Sequence, residues 1–151
     1  MFLKKFMGQY RHTVDPKGRV TIPARYRELI GESAIITQDF DRNLVVYPEP
    51  IFAAMADQVS ANTSITDPNA RDLKRLLFSN ADLVTPDGNG RILIPSFLRE
   101  KNDLGSEVVL SGVGDYFEIW SSEEWDRRES LQDAAANVDR FAGQPISTSQ
   151  E

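Results

Sequence analysis

The chain has no cysteine among its 151 residues and a single histidine, His12. The first absence removes disulfides, thiolate nucleophiles and cysteine zinc sites together, and it fits a reducing compartment. The second leaves no Ser–His nucleophile and no multi-histidine metal cluster. Long apolar runs are also missing. The longest, Ile51 to Ala56, has six residues, against the roughly 18 that a membrane span needs. The opening MFLKKFMGQYRH contains no apolar stretch of signal-peptide length. These absences lead to the expectation of a cytoplasmic protein without membrane, metal or cofactor.

What is present suits a folded domain. Hydrophobic residues make up 40% and charged residues 26% of the chain, so a core is expected and wholesale disorder is not. The net charge of −6 argues weakly against an anionic partner, but its distribution reverses that. Residues 1–30 carry Lys4, Lys5, Arg11, Lys17, Arg19, Arg25 and Arg27 against Asp15 and Glu28, a net of +5. Residues 31–151 carry ten basic and 21 acidic side chains, a net of −11. Such asymmetry between ends marks either a localised anionic partner or a solvated basic face.

The chain also writes one phrase twice. DPKGRVTIPARYRE (15–28) and DGNGRILIPSFLRE (87–100) lie 72 positions apart. Asp15, Gly18, Arg19, Ile22, Pro23, Arg27 and Glu28 are identical to Asp87, Gly90, Arg91, Ile94, Pro95, Arg99 and Glu100. The echo continues faintly through AIIT and VVLS, then LVVYP and FEIWS. The chain therefore divides into a first repeat at 7–60, a linking helix at 61–79, a second repeat at 80–135 and a loose tail at 141–151.

Each repeat reads as strand, tight turn, strand, short helix, hairpin, helix. DPKG suits a type I turn, in which the Asp carboxylate accepts the backbone N–H two residues on. Pro23 opens a helix over Ala24 to Ile30, with Gly31 past its end. Ile35-Ile36 and Leu44–Tyr47 are strand-like around a polar turn, as are Val108–Leu110 and Tyr116–Trp120. Asp67 with Pro68 caps a central helix through Phe78, and Ser121 with Glu124 opens a helix expected to run to about Arg140. A lone unit of this size is marginal. Two units pressed together could close a small barrel and bury both apolar faces.

The phrase admits three uses. Two Asp from related halves could form an acid–base dyad, but an Arg four residues after each holds the carboxylate ionised, which is poor for proton exchange. The glycines do not continue into a phosphate-cradling loop. No catalytic residue is therefore expected. A salt bridge bracing a turn needs no ligand, and the second copy is locally neutral, with Asn89 where the first has Lys17. The first copy is different. Lys17 at a turn tip and Arg19 on the following strand suit a DNA major groove, where Arg bonds guanine bidentately. Arg25 and Arg27 suit flanking phosphates, and Arg11 lies just upstream.

With these motifs the chain resembles the MraZ family of bacterial transcriptional regulators, related to the AbrB/SpoVT DNA-binding superfamily. The resemblance rests on Asp-x-x-x-Arg once per half, Asp15 to Arg19 and Asp87 to Arg91. It also rests on GQYRHTVDPKGRVTIPARYR, DRNLVVYP, RDLKRLLFSNADLV and GRILIPSFLRE. It implies an α+β fold, mixed β with flanking helices: a swapped-hairpin, double-split β-barrel built from two internal repeats. It implies a ring-shaped homo-oligomer, associated with the nucleoid, that binds tandem short repeats of double-stranded DNA upstream of its own operon in the division and cell-wall gene cluster. Lys17 and Arg19 are then base-contacting, Asp15 and Gly18 organise the turn, and Asp87 and Arg91 are their motif counterparts. MFLK precedes the usual family start, so Lys4 and Lys5 inherit no role. The alternative is a protein-interaction module of the antitoxin or scaffold kind. Phe52, Trp125 and Leu131 are candidate contact residues, though core packing suits each.

Overall fold

The computed structural model describes residues 3–62, 64–131 and 134–145. The first repeat contains β1 (Gln9–Thr13), β2 (Arg19–Thr21), α1 (Ala24–Ile30), β3 (Ala34–Gln38), β4 (Leu44–Pro48) and α2 (Glu49–Asn62). Next comes α3 (Pro68–Lys74), which runs into one π-helical turn at Arg75–Ser79. The second repeat contains β5 (Asp82–Val84), β6 (Arg91–Leu93), α4 (Ser96–Lys101), β7 (Glu107–Gly112), β8 (Phe117–Ser121) and α5 (Ser122–Ser130), and α6 (Ala134–Phe141) follows. The fold is α+β.

Local chemistry sets the element ends. Pro23 leads into α1, and Gly31 ends it at φ +76°, a conformation that favours glycine. The Asp67 carboxylate caps α3 by accepting the Asn69 N–H at 2.9 Å, with Pro68 in the first turn, where its missing N–H costs nothing. Ser121 Oγ accepts the Glu124 N–H at 3.1 Å and starts α5. The long helix expected from there to Arg140 is two helices. α5 ends at Ser130, and the Leu131 N–H turns back to the Arg128 carbonyl at 3.2 Å, a tightening of the last turn. Leu131 itself is exposed. The expected loose tail lies partly outside the described residues, from 146 to 151.

The strands pair across the repeats. Six form an antiparallel sheet in the order β1-β7-β8-β4-β3-β5, and β2 pairs with β6 in a two-stranded ribbon. A shift of 72 residues carries β1 to β5, β2 to β6, β3 to β7 and β4 to β8. The sheet order then maps onto itself in reverse. Each repeat's first strand lies beside the other repeat's hairpin, β1 on β7 and β5 on β3. Among the described residues the hydrogen bonds give an open sheet plus a ribbon, where a closed barrel was expected. The ribbon strands have three residues each, and Pro23 and Pro95 follow two positions later without an N–H to extend the ladder.

The core fills the space between the ribbon and one face of the sheet. Val20, Ile22, Ile92 and Ile94 from the ribbon meet Ile36, Val46, Leu110 and Ile119 from the sheet, all fully buried or nearly so. Tyr26 of α1 lies between Phe6 and Phe117, with ring centroids 5.1 and 5.0 Å away. Its hydroxyl donates to the Met7 and Gly8 carbonyls at 3.0 Å, so its polar end is satisfied. The opposite sheet face is covered by helices. Phe52 of α2 packs on Tyr47, and Trp125 of α5 packs edge-on against Trp120. The ribbon and α5 therefore lie on opposite sides of the sheet.

Ile92→Ala removes a fully enclosed side chain at the centre of the ribbon, where neighbouring chain from both repeats limits collapse. It should cost about 2–5 kcal/mol in urea unfolding, while Leu93→Ala beside it, half exposed, should cost less than about 0.5 kcal/mol. Equal losses would contradict this placement of the core.

Candidate nucleic-acid interface

The turn at Asp15–Gly18 is built by one carboxylate. The Gly18 N–H closes the turn onto the Asp15 carbonyl at 2.9 Å, and the Asp15 N–H reaches the Arg19 carbonyl at 2.9 Å. Asp15 Oδ1 accepts the Lys17 N–H at 3.0 Å and the Arg19 N–H at 2.8 Å. Oδ2 accepts the Arg19 Nε–H at 2.7 Å. The second copy repeats this atom for atom. Asp87 Oδ1 accepts Asn89 N–H and Arg91 N–H at 2.9 Å, and Oδ2 accepts Arg91 Nε–H at 2.9 Å. Gly18 has φ +90° and Gly90 φ +74°, a region that a side chain would strain.

The charge-assisted bond at Nε fixes each guanidinium. The outer nitrogens of Arg19 are left clear of that bond, and those of Arg91 make one further contact. The Arg19 N–H holds the Asp15 carboxyl below the usual carboxylate range, with the guanidinium assisting and partial burial opposing. The Arg91 N–H does the same for Asp87. Both carboxylates are therefore locked as anions, which suits bracing and not proton transfer.

The ribbon register sets where these side chains go. Arg19 lies opposite Leu93, Val20 opposite Ile92, and Thr21 opposite Arg91. Val20 and Ile92 point into the core, so strand alternation turns Arg19, Thr21, Arg91 and Leu93 to the outside. Arg19 and Arg91 are diagonal neighbours, about 7–8 Å apart in a regular pair. Arg91 Nη1 also reaches within 4.0 Å of Asp15 Oδ2, so the Asp15 carboxylate faces both arginines.

The structure thus brings Asp15, Lys17, Gly18, Arg19, Asp87 and Arg91 to one ribbon. Lys17 projects from the turn tip into solvent, and Arg25 is exposed on α1 close behind. Arg11 is elsewhere. Its Nη2 donates to Asp126 Oδ1 at 2.7 Å, linking β1 to α5 on the far side of the sheet. That bond raises the Arg11 pKa. Arg27 is half-buried, and its Nη1–H donates to the Ile22 carbonyl at 2.8 Å. Arg99 makes the matching bond through Nε to the Ile94 carbonyl at 3.1 Å. Sequence reasoning passed over Arg99, although its identity with Arg27 across the repeat was the available signal.

Because Asp15 and Asp87 have lower pKa values folded than unfolded, the unfolded chain binds more protons at low pH. Their stabilisation is complete above the ordinary Asp value near 3.9 and is lost as pH falls through the folded values. The urea midpoint should drop between about pH 5 and pH 3. It should drop less steeply in the double variant Asp15→Asn/Asp87→Asn, which keeps a side-chain oxygen to accept the backbone N–H groups. Parallel profiles would contradict this.

A family model described as "MraZ protein, putative antitoxin-like" matches residues 5–76 and again 77–141. The chain is 44% identical over 133 residues to a Roseiflexus castenholzii protein, covering 88% of this chain and 92% of that one. It is 45% identical over 121 residues to a Carboxydothermus hydrogenoformans protein, with 80% and 84% covered. A Thermomicrobium roseum protein is 41% identical over 126 residues, with 83% and 88% covered. All three are named Transcriptional regulator MraZ. With both copies of its Asp-x-x-x-Arg turn inside the matched segments, the chain belongs to the MraZ family.

Proposed function

We propose that this chain is a sequence-specific DNA-binding transcriptional regulator, and that the outward face of the β2–β6 ribbon reads the major groove. The observation that carries this is the pair of arginines on that face, each held by its own aspartate with guanidinium nitrogens left over. The major groove admits a two-stranded β-ribbon, and Arg pairs bidentately with guanine O6 and N7. A diagonal spacing of about 7–8 Å matches roughly two base-pair steps of 3.4 Å. Arg19 and Arg91 then read bases. Lys17 at the turn tip and Arg25 on α1 hold phosphates, which position the protein without specifying sequence.

The relatives' name supports regulation of transcription. The family resemblance supports a ring-shaped oligomer on tandem repeats upstream of its own operon, in the cytoplasm at the nucleoid. Among the described residues no helix is long and apolar enough to cross a membrane. A few contacts per subunit bind weakly, and several identical ribbons on evenly spaced repeats would convert them into avidity. The exchange of β1 and β5 between repeats supports relating the two sheets to the swapped-hairpin, double-split arrangement. The family description favours one second reading, an antitoxin-like protein-binding role.

Arg19→Ala should weaken binding to the DNA upstream of the chain's own gene by about 1–3 kcal/mol per subunit and relax its sequence preference. Lys17→Ala should weaken all duplexes alike and reduce the slope of log K against log salt by about 1 per subunit. Both variants should keep the wild-type oligomeric state. Fluorescence anisotropy across a salt series measures the binding and size-exclusion chromatography the assembly, and unchanged affinity in both variants would favour the protein-binding reading.

A further inference from the structure

Each repeat's helix arginine lies under the other repeat's turn. A Cβ built on Gly18 would lie 2.7 Å from Arg99 Cζ and 2.8 Å from its Nε and Nη2. A Cβ on Gly90 would lie 2.7 Å from Arg27 Cζ, with Nη1 closer still. A side chain there would have to displace the guanidinium, so each glycine, already at positive φ, admits a guanidinium from the other half of the chain. Each guanidinium is held in place by a hydrogen bond, Arg99 to the Ile94 carbonyl and Arg27 to the Ile22 carbonyl. The same two isoleucines complete a circuit. The Ile94 N–H donates to the Gly18 carbonyl at 2.9 Å, and the Ile22 N–H donates to the Gly90 carbonyl at 2.8 Å. Isoleucine, arginine and glycine thus form one closed contact on each side of the ribbon.

We infer that Arg99 is a positioning residue for the Lys17–Arg19 turn, and Arg27 for the Asn89–Arg91 turn. This rests on the reading that the turns bind DNA. Arg99 packs its guanidinium against Gly18, with its Nε donating to the Ile94 carbonyl. Lys17 and Arg19 flank that peptide on either side. Removing Arg99 leaves a gap under a turn whose glycine is the most permissive residue in it. The turn then samples conformations in which Arg19 loses its approach to the groove, while Lys17 at the exposed tip still reaches a phosphate. The repeat is thereby functional even where its charge is neutral, because the second copy supplies the floor of the first copy's reading turn. The Arg27/Arg99 identity records that reciprocal need.

A double-mutant cycle on DNA binding tests this, using a duplex from the region upstream of the chain's own gene. Arg99→Ala should weaken binding roughly tenfold in the wild-type background and have little effect in an Arg19→Ala background. Arg27→Ala, alike in burial and bonding, should be additive with Arg19→Ala. The salt slope of Arg99→Ala should equal that of wild type, because no phosphate contact is lost. Arg99→Lys, which keeps the charge but not the planar fork, should recover only part of the affinity and stands in if Arg99→Ala melts early. Additivity of Arg99→Ala with Arg19→Ala, a slope reduced by about one, or full rescue by lysine would each overturn the inference. Wild-type affinity in Arg19→Ala would overturn the underlying DNA reading. Loss in Arg19→Ala with retention in Arg99→Ala would overturn this inference alone.

Discussion

The cross-repeat pairing of residues 18–22 with residues 90–94 is the constraint on which the rest of the molecule depends. Its outermost bonds, Ile94 N–H to Gly18 and Ile22 N–H to Gly90, join the two copies of one phrase. The pairing turns Val20 and Ile92 inward to complete the core, and it turns Arg19 and Arg91 outward together. Without it, each turn would be a solvated hairpin with no partner and each repeat would keep an open apolar face. The duplication therefore does two jobs with one set of hydrogen bonds: it closes the core, and it places two braced arginines on a common surface.

The copies share a skeleton and differ on their surface. Asp, Gly, Arg, Ile and Pro recur because each serves the backbone in its own way. The carboxylate organises the turn, glycine takes positive φ, arginine is braced, isoleucine is buried and proline opens the helix. Nothing in the structure explains the identity of Glu28 with Glu100. Between those fixed positions the sequence has drifted. Lys17 is answered by Asn89, Thr21 by Leu93 and Arg25 by Phe97, all exposed or at the ribbon surface. The first copy's outer surface is basic, whereas the second is neutral and more apolar. Residues 15–28 are net +2, whereas their counterparts 87–100 are neutral, in a protein whose net charge is −6.

Much of this was legible in the sequence where the determining chemistry is local. The Asx-type turn, the Asp–Arg brace and the span of α1 each depend on residues within a few positions of one another, and each formed as read. What the sequence left illegible depends on distant partners. Arg11 is paired with Asp126, 115 positions away, and no local signal names that partner. The helix starting at Ser122 stops at Ser130, with Leu131 exposed beyond it. Among the described residues the strands pair as an open sheet and a ribbon whose strands stop two residues before Pro23 and Pro95. The guanidinium beneath Gly18 comes from 81 positions along the chain, and only the identity of Arg27 with Arg99 hinted that both were needed.

The chain lacks cysteine, so a single introduced thiol can carry a cross-linker without competition. Pro16→Cys and Asn89→Cys place it at the two turn tips, and Glu129→Cys places it on α5, across the sheet from the ribbon. A DNA-facing ribbon predicts efficient cross-linking to duplex DNA from the two turn positions, strongest at 16, and little from 129. Cross-linking confined to position 129, with the turn tips silent, would contradict the claim that the ribbon is the DNA-facing surface.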